Sequence, residues 1–226
     1  MSQVFPPGAN WLVKWSFWTI VLGGGTVVSI ASALYWGPPV TLKNFARQQE
    51  IPFSHQRHVQ GNGIDCRYCH TTVETSAFAG IPATETCMSC HSQILTDQEM
   101  FAPIHESWDT GVPMEWTRVY DLPDFVYFNH SIHIDRGIGC STCHSNSRNK
   151  LEEMRLTAKA QTLHMRWCLQ CHRAPEKFIR PRSEVFNMAW DASEAEHFSQ
   201  KVDGPRLVEE YNIEVDQLTN CSICHR

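Results

Sequence analysis

The strongest hydrophobic feature of the chain is a run of 22 residues without a charged side chain, Trp15 to Trp36. At the helical rise of about 1.5 Å per residue it is roughly 33 Å long, enough to cross a hydrocarbon layer of about 30 Å with a small tilt. Trp11, Trp15 and Trp18 at one end, and Tyr35 and Trp36 at the other, resemble the aromatic belts of a membrane interface. Lys14 is placed to snorkel to the headgroups. A cleaved signal peptide competes with this reading, because Ala31-Ser32-Ala33 has the small-residue pattern of a cleavage site. The run exceeds the ~7–15 residues of a signal h-region, so an uncleaved anchor over 15–36 is expected, preceded by a cytoplasmic or interfacial segment over 1–14. Gly25, Ser29 and Ala33 recur every four residues beside Gly23 and Gly24, a small face on which a second helix fits closely.

After Trp36 the regular pattern fades. Gly37-Pro38-Pro39 stops the helix, and a connector over 37–50 follows. Short helices are expected at Ser193 to Lys201 and Arg206 to Tyr211, and a short strand at Phe125 to Phe128. Proline and glycine break up the rest, as at Ile81-Pro82 and Asp121-Leu122-Pro123. So few periodic runs cannot build an ordinary core.

Composition narrows the class only slightly. The chain has 226 residues, 42% hydrophobic and 19% charged, so it is neither disordered nor wholly membrane-embedded. A net charge of −5 argues against a nucleic-acid partner.

The cysteines change the picture. All ten lie in C-x-x-C-H pentapeptides. The first has Cys66, Cys69 and His70; the second has Cys87, Cys90 and His91; the third has Cys140, Cys143 and His144. The fourth has Cys168, Cys171 and His172, and the fifth has Cys221, Cys224 and His225. Chance supplies about 0.02 such matches at this composition. Two thiols at this spacing reach the two vinyl groups of one porphyrin, and the adjacent histidine is held under the iron as proximal ligand. Zinc would need four protein ligands gathered per site, and a redox C-x-x-C would not be followed by histidine five times. Five covalently attached haem c groups are therefore expected. They would supply the apolar mass that the polypeptide lacks, so fold and cofactor should be inseparable. The expected fold class is a multihaem cytochrome c, mostly loops and short helices wrapped around five haems, with one N-terminal transmembrane helix. Because thioether formation occurs outside the bacterial cytoplasm, the residues after Trp36 should be periplasmic. The weak charge asymmetry of Lys14 against Lys43 and Arg47 does not decide orientation.

The haem region, 51–226, contains an internal repeat. Phe53-Ser54-His55-Gln56-Arg57-His58 leads into Gly63-Ile64-Asp65-Cys66, and Phe128-Asn129-His130-Ser131-Ile132-His133 leads into Gly137-Ile138-Gly139-Cys140. Each unit then holds two C-x-x-C-H motifs, giving two-haem modules over 51–91 and 126–172, with a fifth haem at 221–225. Two histidines three residues apart on a helical turn share a face. His55, His58, His130 and His133 are thus the candidate distal ligands, each pair serving two neighbouring haems. For the fifth distal position His105, His164, His197, Met154 and Met165 all compete.

These modules resemble the cytochrome c3/c7 group. The stretches Asp121 to His133, Trp167-Cys168-Leu169-Gln170-Cys171-His172-Arg173 and Cys221 to Arg226, with the N-terminal anchor, are similar to the pentahaem cytochrome c subunit of bacterial alternative complex III. The resemblance covers the whole chain. It implies an electron-transfer subunit, not catalytic by itself, of a membrane quinol oxidoreductase in the bacterial inner membrane. It implies an integral membrane quinol-binding subunit, an iron–sulfur subunit and a monohaem cytochrome as partners, with a periplasmic cytochrome c or copper protein as acceptor. It also points to Met165 as the fifth distal ligand, although the chain departs from the pattern in carrying His105 and His164. Two alternatives remain: a membrane-anchored quinol dehydrogenase feeding a periplasmic reductase, and a multihaem reductase enzyme. The reductase needs an iron with an open position. The surplus of histidine and methionine speaks against one.

Overall fold

The computed structural model describes residues 6, 8–43, 47–144 and 159–225. Contacts divide the chain into two units after Lys43.

The first unit is dominated by α1, Ala9–Trp36, 28 residues long. It starts six residues before the expected anchor, because Ala9 to Lys14 contain no helix breaker and Gly8 ends the prolines that precede them. Inside the helix, Ser16 and Thr26 return their hydroxyls to the carbonyls of Leu12 and Leu22, at 2.8 and 2.7 Å, so these polar side chains need no outside partner. α1 is long and apolar enough to cross a membrane, and none of its residues is buried within the protein. It stops at Gly37, whose backbone is extended, and one helical turn, α2 (Pro38–Thr41), follows.

The second unit is a string of short helices and turns: a π-helical turn at Gln56–Gly61, then α3 (Cys66–Cys69), α4 (Thr84–His91) and α5 (Ala102–Thr110). After them come α6 (His130–Asp135), α7 (Ser141–His144), α8 (Met165–Arg173), α9 (Gln200–Glu210) and α10 (Cys221–Cys224). Two expectations are corrected here. The stretch from Ser193 to Phe198 is turns, because Asp191 accepts from the Ser193 backbone N–H at 2.8 Å and closes the chain on itself; the helix begins only at Gln200. It then runs through Pro205 to Glu210, absorbing most of the second expected helix. Phe125 to Phe128 forms no strand, only a single antiparallel bridge between Val126 and His225.

Apolar packing is confined, among the described residues, to three small clusters: Ile51, Met88, Phe101 and Ile104; Val73, Ile134 and Val185; Ile179, Leu207 and Tyr211. Cys87 packs on the first and Cys140 on the second, so the core patches sit directly behind the cysteine motifs.

Candidate haem-binding site

Each C-x-x-C pair lies on or at the start of a single helical turn, and none of the ten cysteines is in a disulfide. That turn places residues i and i+3 side by side on one face. Burial pushes the thiols of Cys140 and Cys171 up to about 11 and that of Cys143 up to about 12. Cys90 in the second motif and Cys221 in the fifth are exposed, whereas the other eight cysteines are half-buried. Cys90 stands on the outer side of α4, where the Ser89 hydroxyl is 3.8 Å from its Sγ; its partner Cys87 is the one that packs on the core.

The histidines are ordered in pairs. His55 faces His70 with ring centroids 6.3 Å apart, and His130 faces His144 at 6.3 Å. His58 faces His91 and His133 faces His172, each at 6.2 Å. A ring centroid lies about 1.1 Å from its own nitrogen, and metal–imidazole bonds are about 2.0–2.1 Å, so two axial imidazoles on one metal have centroids roughly 6.2–6.4 Å apart. All four separations match that span.

Backbone carbonyls fix the tautomers. Nδ1 lies 2.9 Å from Ser54 O in His58, 2.7 Å from Gly80 O in His70, and 3.1 Å from Ile94 O in His91. It lies 2.8 Å from Ala77 O in His130, 2.7 Å from Asn129 O in His133, and 2.9 Å from Leu218 O in His172. An Nδ1–H donated to a carbonyl leaves Nε2 as the lone-pair nitrogen, the form a metal needs. Burial first, and neighbouring histidines after it, lower His55 and His144 to about 4, so both are neutral imidazoles at physiological pH.

The repeat is reproduced in its ring geometry. Phe53 stacks on His58 at 4.4 Å and meets His55 edge-on at 4.7 Å; Phe128 stacks on His133 at 4.4 Å and meets His130 edge-on at 4.8 Å. The phenylalanine of each F-x-H-x-x-H thus clamps both of its histidines.

The donor set fits haem and not a metal held by protein alone. Among the described residues no three His, Cys, Asp or Glu side chains converge on one point. Two axial nitrogens with a gap between them suit a group that brings four equatorial ligands of its own. His55, His58, His130 and His133 would hold the distal side; His70, His91, His144 and His172 the proximal side. The thioethers would form on Cys66 with Cys69, Cys87 with Cys90, Cys140 with Cys143, and Cys168 with Cys171. α4 carries Cys87, Cys90 and His91 together.

Residues 126–226 match the family model of cytochrome c7 and related cytochrome c, and residues 36–112 match the class III cytochrome C family. The chain is 33% identical over 168 residues to a protein of Nitratidesulfovibrio vulgaris strain Hildenborough named menaquinone reductase, multiheme cytochrome c subunit. The alignment covers 66% of this chain and 78% of that relative. The chain belongs to the multihaem cytochromes c.

In this cytochrome the motifs follow an order that differs from their order along the chain. Tyr68 of the first and Ser89 of the second are hydrogen-bonded at 3.2 Å. The backbone of His130 and Ser131 donates to Ala77 O and Ser76 O, both at 3.2 Å, fastening the second module to the loop behind the first motif. His130 faces His144 and His133 faces His172, which joins the third and fourth motifs, and His172 Nδ1 lies 2.9 Å from Leu218 O, three residues before the fifth. The spatial series is second, first, third, fourth, fifth.

The fifth motif is built differently. The His225 ring lies against Phe125 at 5.9 Å, and its Nδ1 is 3.2 Å from Phe125 O. Of the competitors for its distal side, Met165 opens α8 one turn before Cys168 and is 60% exposed. His164 caps the same helix. His105 is on α5, which packs against α4 and the second motif at the far end of the series. His197 is exposed in a turn, and Met154 lies outside the described residues. Sequence reasoning missed Arg180, a buried cation against the third motif. Gly139, which stands where the first module has Asp65, was the available signal.

Proposed function

We propose that this cytochrome is the electron-transfer subunit of a quinone-linked oxidoreductase in the bacterial inner membrane. Four imidazole pairs at ligand spacing, joined in one series, carry the reading. Haem iron, when bound, supplies a reversible one-electron couple tuned by its axial ligands and surroundings. The protein's part is to hold the axial nitrogens, fix their tautomers and keep neighbouring sites close. In this reading Cys221 and Cys224 attach a fifth haem under His225, with Met165 opposite. α1 anchors the chain, and the 51–226 region faces the periplasm.

The finer assignment is to an assembly of the alternative complex III type. An integral membrane subunit there oxidises quinol beside an iron–sulfur subunit, and electrons leave through a monohaem cytochrome toward a periplasmic cytochrome c or copper protein. The whole-chain motif pattern and the apolar α1 support it. The relative named a menaquinone reductase subunit favours a second reading, in which electrons run from a periplasmic donor to the quinone pool. Purification of the native complex with a tag on the C-terminus tests both. Rapid haem reduction by a quinol analogue, blocked by quinone-site inhibitors, supports the first. Quinone reduction driven only from a pre-reduced periplasmic donor supports the second. Isolation of the chain without membrane partners overturns both.

A further inference from the structure

The two modules are duplicates in their histidines and opposites in their charges. At the residue before the first cysteine, module one has Asp65 and module two has Gly139. Asp65 caps α3 by accepting from Arg67 N at 2.8 Å and pairs with the Arg67 side chain at 2.8 Å, half exposed to water. Its charge is neutralised where it stands.

Gly139 does the reverse. A side-chain carbon there would overlap the guanidinium of Arg180, so the glycine makes room for that cation. Arg180 is 5% exposed. Its hydrogen bonds go to neutral oxygens: Ser141 Oγ at 3.1 Å, Thr142 Oγ1 at 3.4 Å and Asn187 O at 3.3 Å. Its Nε is buried without a partner, and its face stacks over Trp190 at 4.6 Å. Glu184 and Asp191 act on it electrostatically without joining those hydrogen bonds. A guanidinium keeps its charge even when buried, and an under-compensated charge in a low dielectric has a long reach.

We infer that Arg180 sets the reduction potential of the haem held by Cys140, Cys143, His130 and His144, raising it above that of the equivalent haem in the first module. The inference rests on the haem-site reading given above. A fixed positive charge favours the ferrous form, whose iron carries one positive charge fewer than the ferric form. Among the described residues the first module shows no such cation, since Arg67 is half exposed and matched by Asp65.

The test uses the full haem-loaded chain, with haem content measured in each preparation and potentials read by optical and EPR-monitored titration. Arg180→Gln is expected to lower the ferrous-to-ferric ratio of one component at least tenfold at fixed potential, about 59 mV for one electron, leaving the rest in place. Arg180→Lys keeps the charge and should shift that component less than threefold. Ser141→Asp sets a carboxylate beside the guanidinium and should lower the same component, which keeps the test open if Arg180→Gln loads poorly. Unchanged potentials in fully loaded Ser141→Asp, or a shift in Arg180→Lys as large as in Arg180→Gln, overturn the inference. A wild-type chain lacking haem at the third motif overturns the site reading instead.

Discussion

His55 and His70 face each other across 6.3 Å with their ring planes 11° from parallel. One residue lies before the first C-x-x-C-H motif and the other closes it, yet the span between them suits two axial bonds to a single iron. His58, three residues further on, faces His91 in the next motif instead. One F-x-H-x-x-H turn therefore joins two candidate haem sites, and the second copy does the same with His130 and His133.

Removing one distal imidazole should open one iron. His133→Ala is expected to convert one six-coordinate low-spin haem into a five-coordinate centre that binds one carbon monoxide per chain, while the wild type stays largely inert. Carbon monoxide difference spectra and EPR check it. Uptake by the wild-type protein at a full equivalent would point to an open iron and revive the reductase alternative.

The phenylalanine clamp gives a second expectation. Phe128 stacks on His133 at 4.4 Å, and aromatic pairs of this kind contribute about 0.5–1.5 kcal/mol beyond their area burial. Phe128→Leu should lower the stability of the haem-loaded protein by about 1 kcal/mol and broaden the EPR signal of the His133 haem, because its axial ring is less firmly held. Thermal unfolding with EPR on the same sample checks both; a change in stability with an unaltered EPR envelope would assign Phe128 to packing alone.

Glycines at equivalent turns of the repeat should differ in cost. Gly63 and Gly137 both have positive φ, +68° and +79°. Gly63 has open space where a Cβ would point, whereas at Gly137 that atom would stand 2.6 Å from Arg180 O and 2.8 Å from the Tyr211 ring. Gly63→Ala should cost about 1–2 kcal/mol from backbone strain alone. Gly137→Ala should cost more, since a carbonyl cannot swing away as a flexible side chain does. Denaturant unfolding of the two variants side by side gives the comparison; equal losses would mean that the crowded carbonyl moves freely.

The cysteine motifs were legible in the sequence because covalent haem attachment demands a fixed local spacing, and the histidine pairs because the F-x-H-x-x-H unit is repeated; which proximal histidine each would face was not. Helix α1 was legible because a membrane span demands uniform apolarity. Its true start at Ala9 was not, since Trp11 and Lys14 read equally well as interface and as helix. The spatial series of motifs was hidden, because it depends on contacts such as His130 to Ala77, 53 residues apart. Arg180 was hidden for the same reason: it lies 40 residues beyond Cys140, and only the missing side chain at Gly139 marks its place. The expected strand at Phe125 to Phe128 is reduced to one bridge because its own residues bond the fifth motif, Tyr127 N donating to Cys224 O at 2.8 Å and Phe125 O lying 3.2 Å from His225 Nδ1, and the chain there is a helical turn.

The fifth site sets the last expectation. Met165 lies one helical turn before Cys168, and its side chain is exposed. If its thioether completes the His225 haem, that site is His/Met and the other four are His/His. A thioether stabilises ferrous iron more than an imidazole does, so the His/Met haem should be among the highest in potential, and electrons should collect there at equilibrium. Met165→His keeps a ligand and changes only its kind. It should lower one component by at least about 60 mV, a tenfold change in occupancy for one electron, and leave the other four nearly in place. The near-infrared charge-transfer band of methionine-ligated ferric haem should vanish in the same variant. A titration without a shifted component, in protein that retains its full haem content, would remove Met165 from the ligand set and leave the distal side of His225 to His164 or Met154.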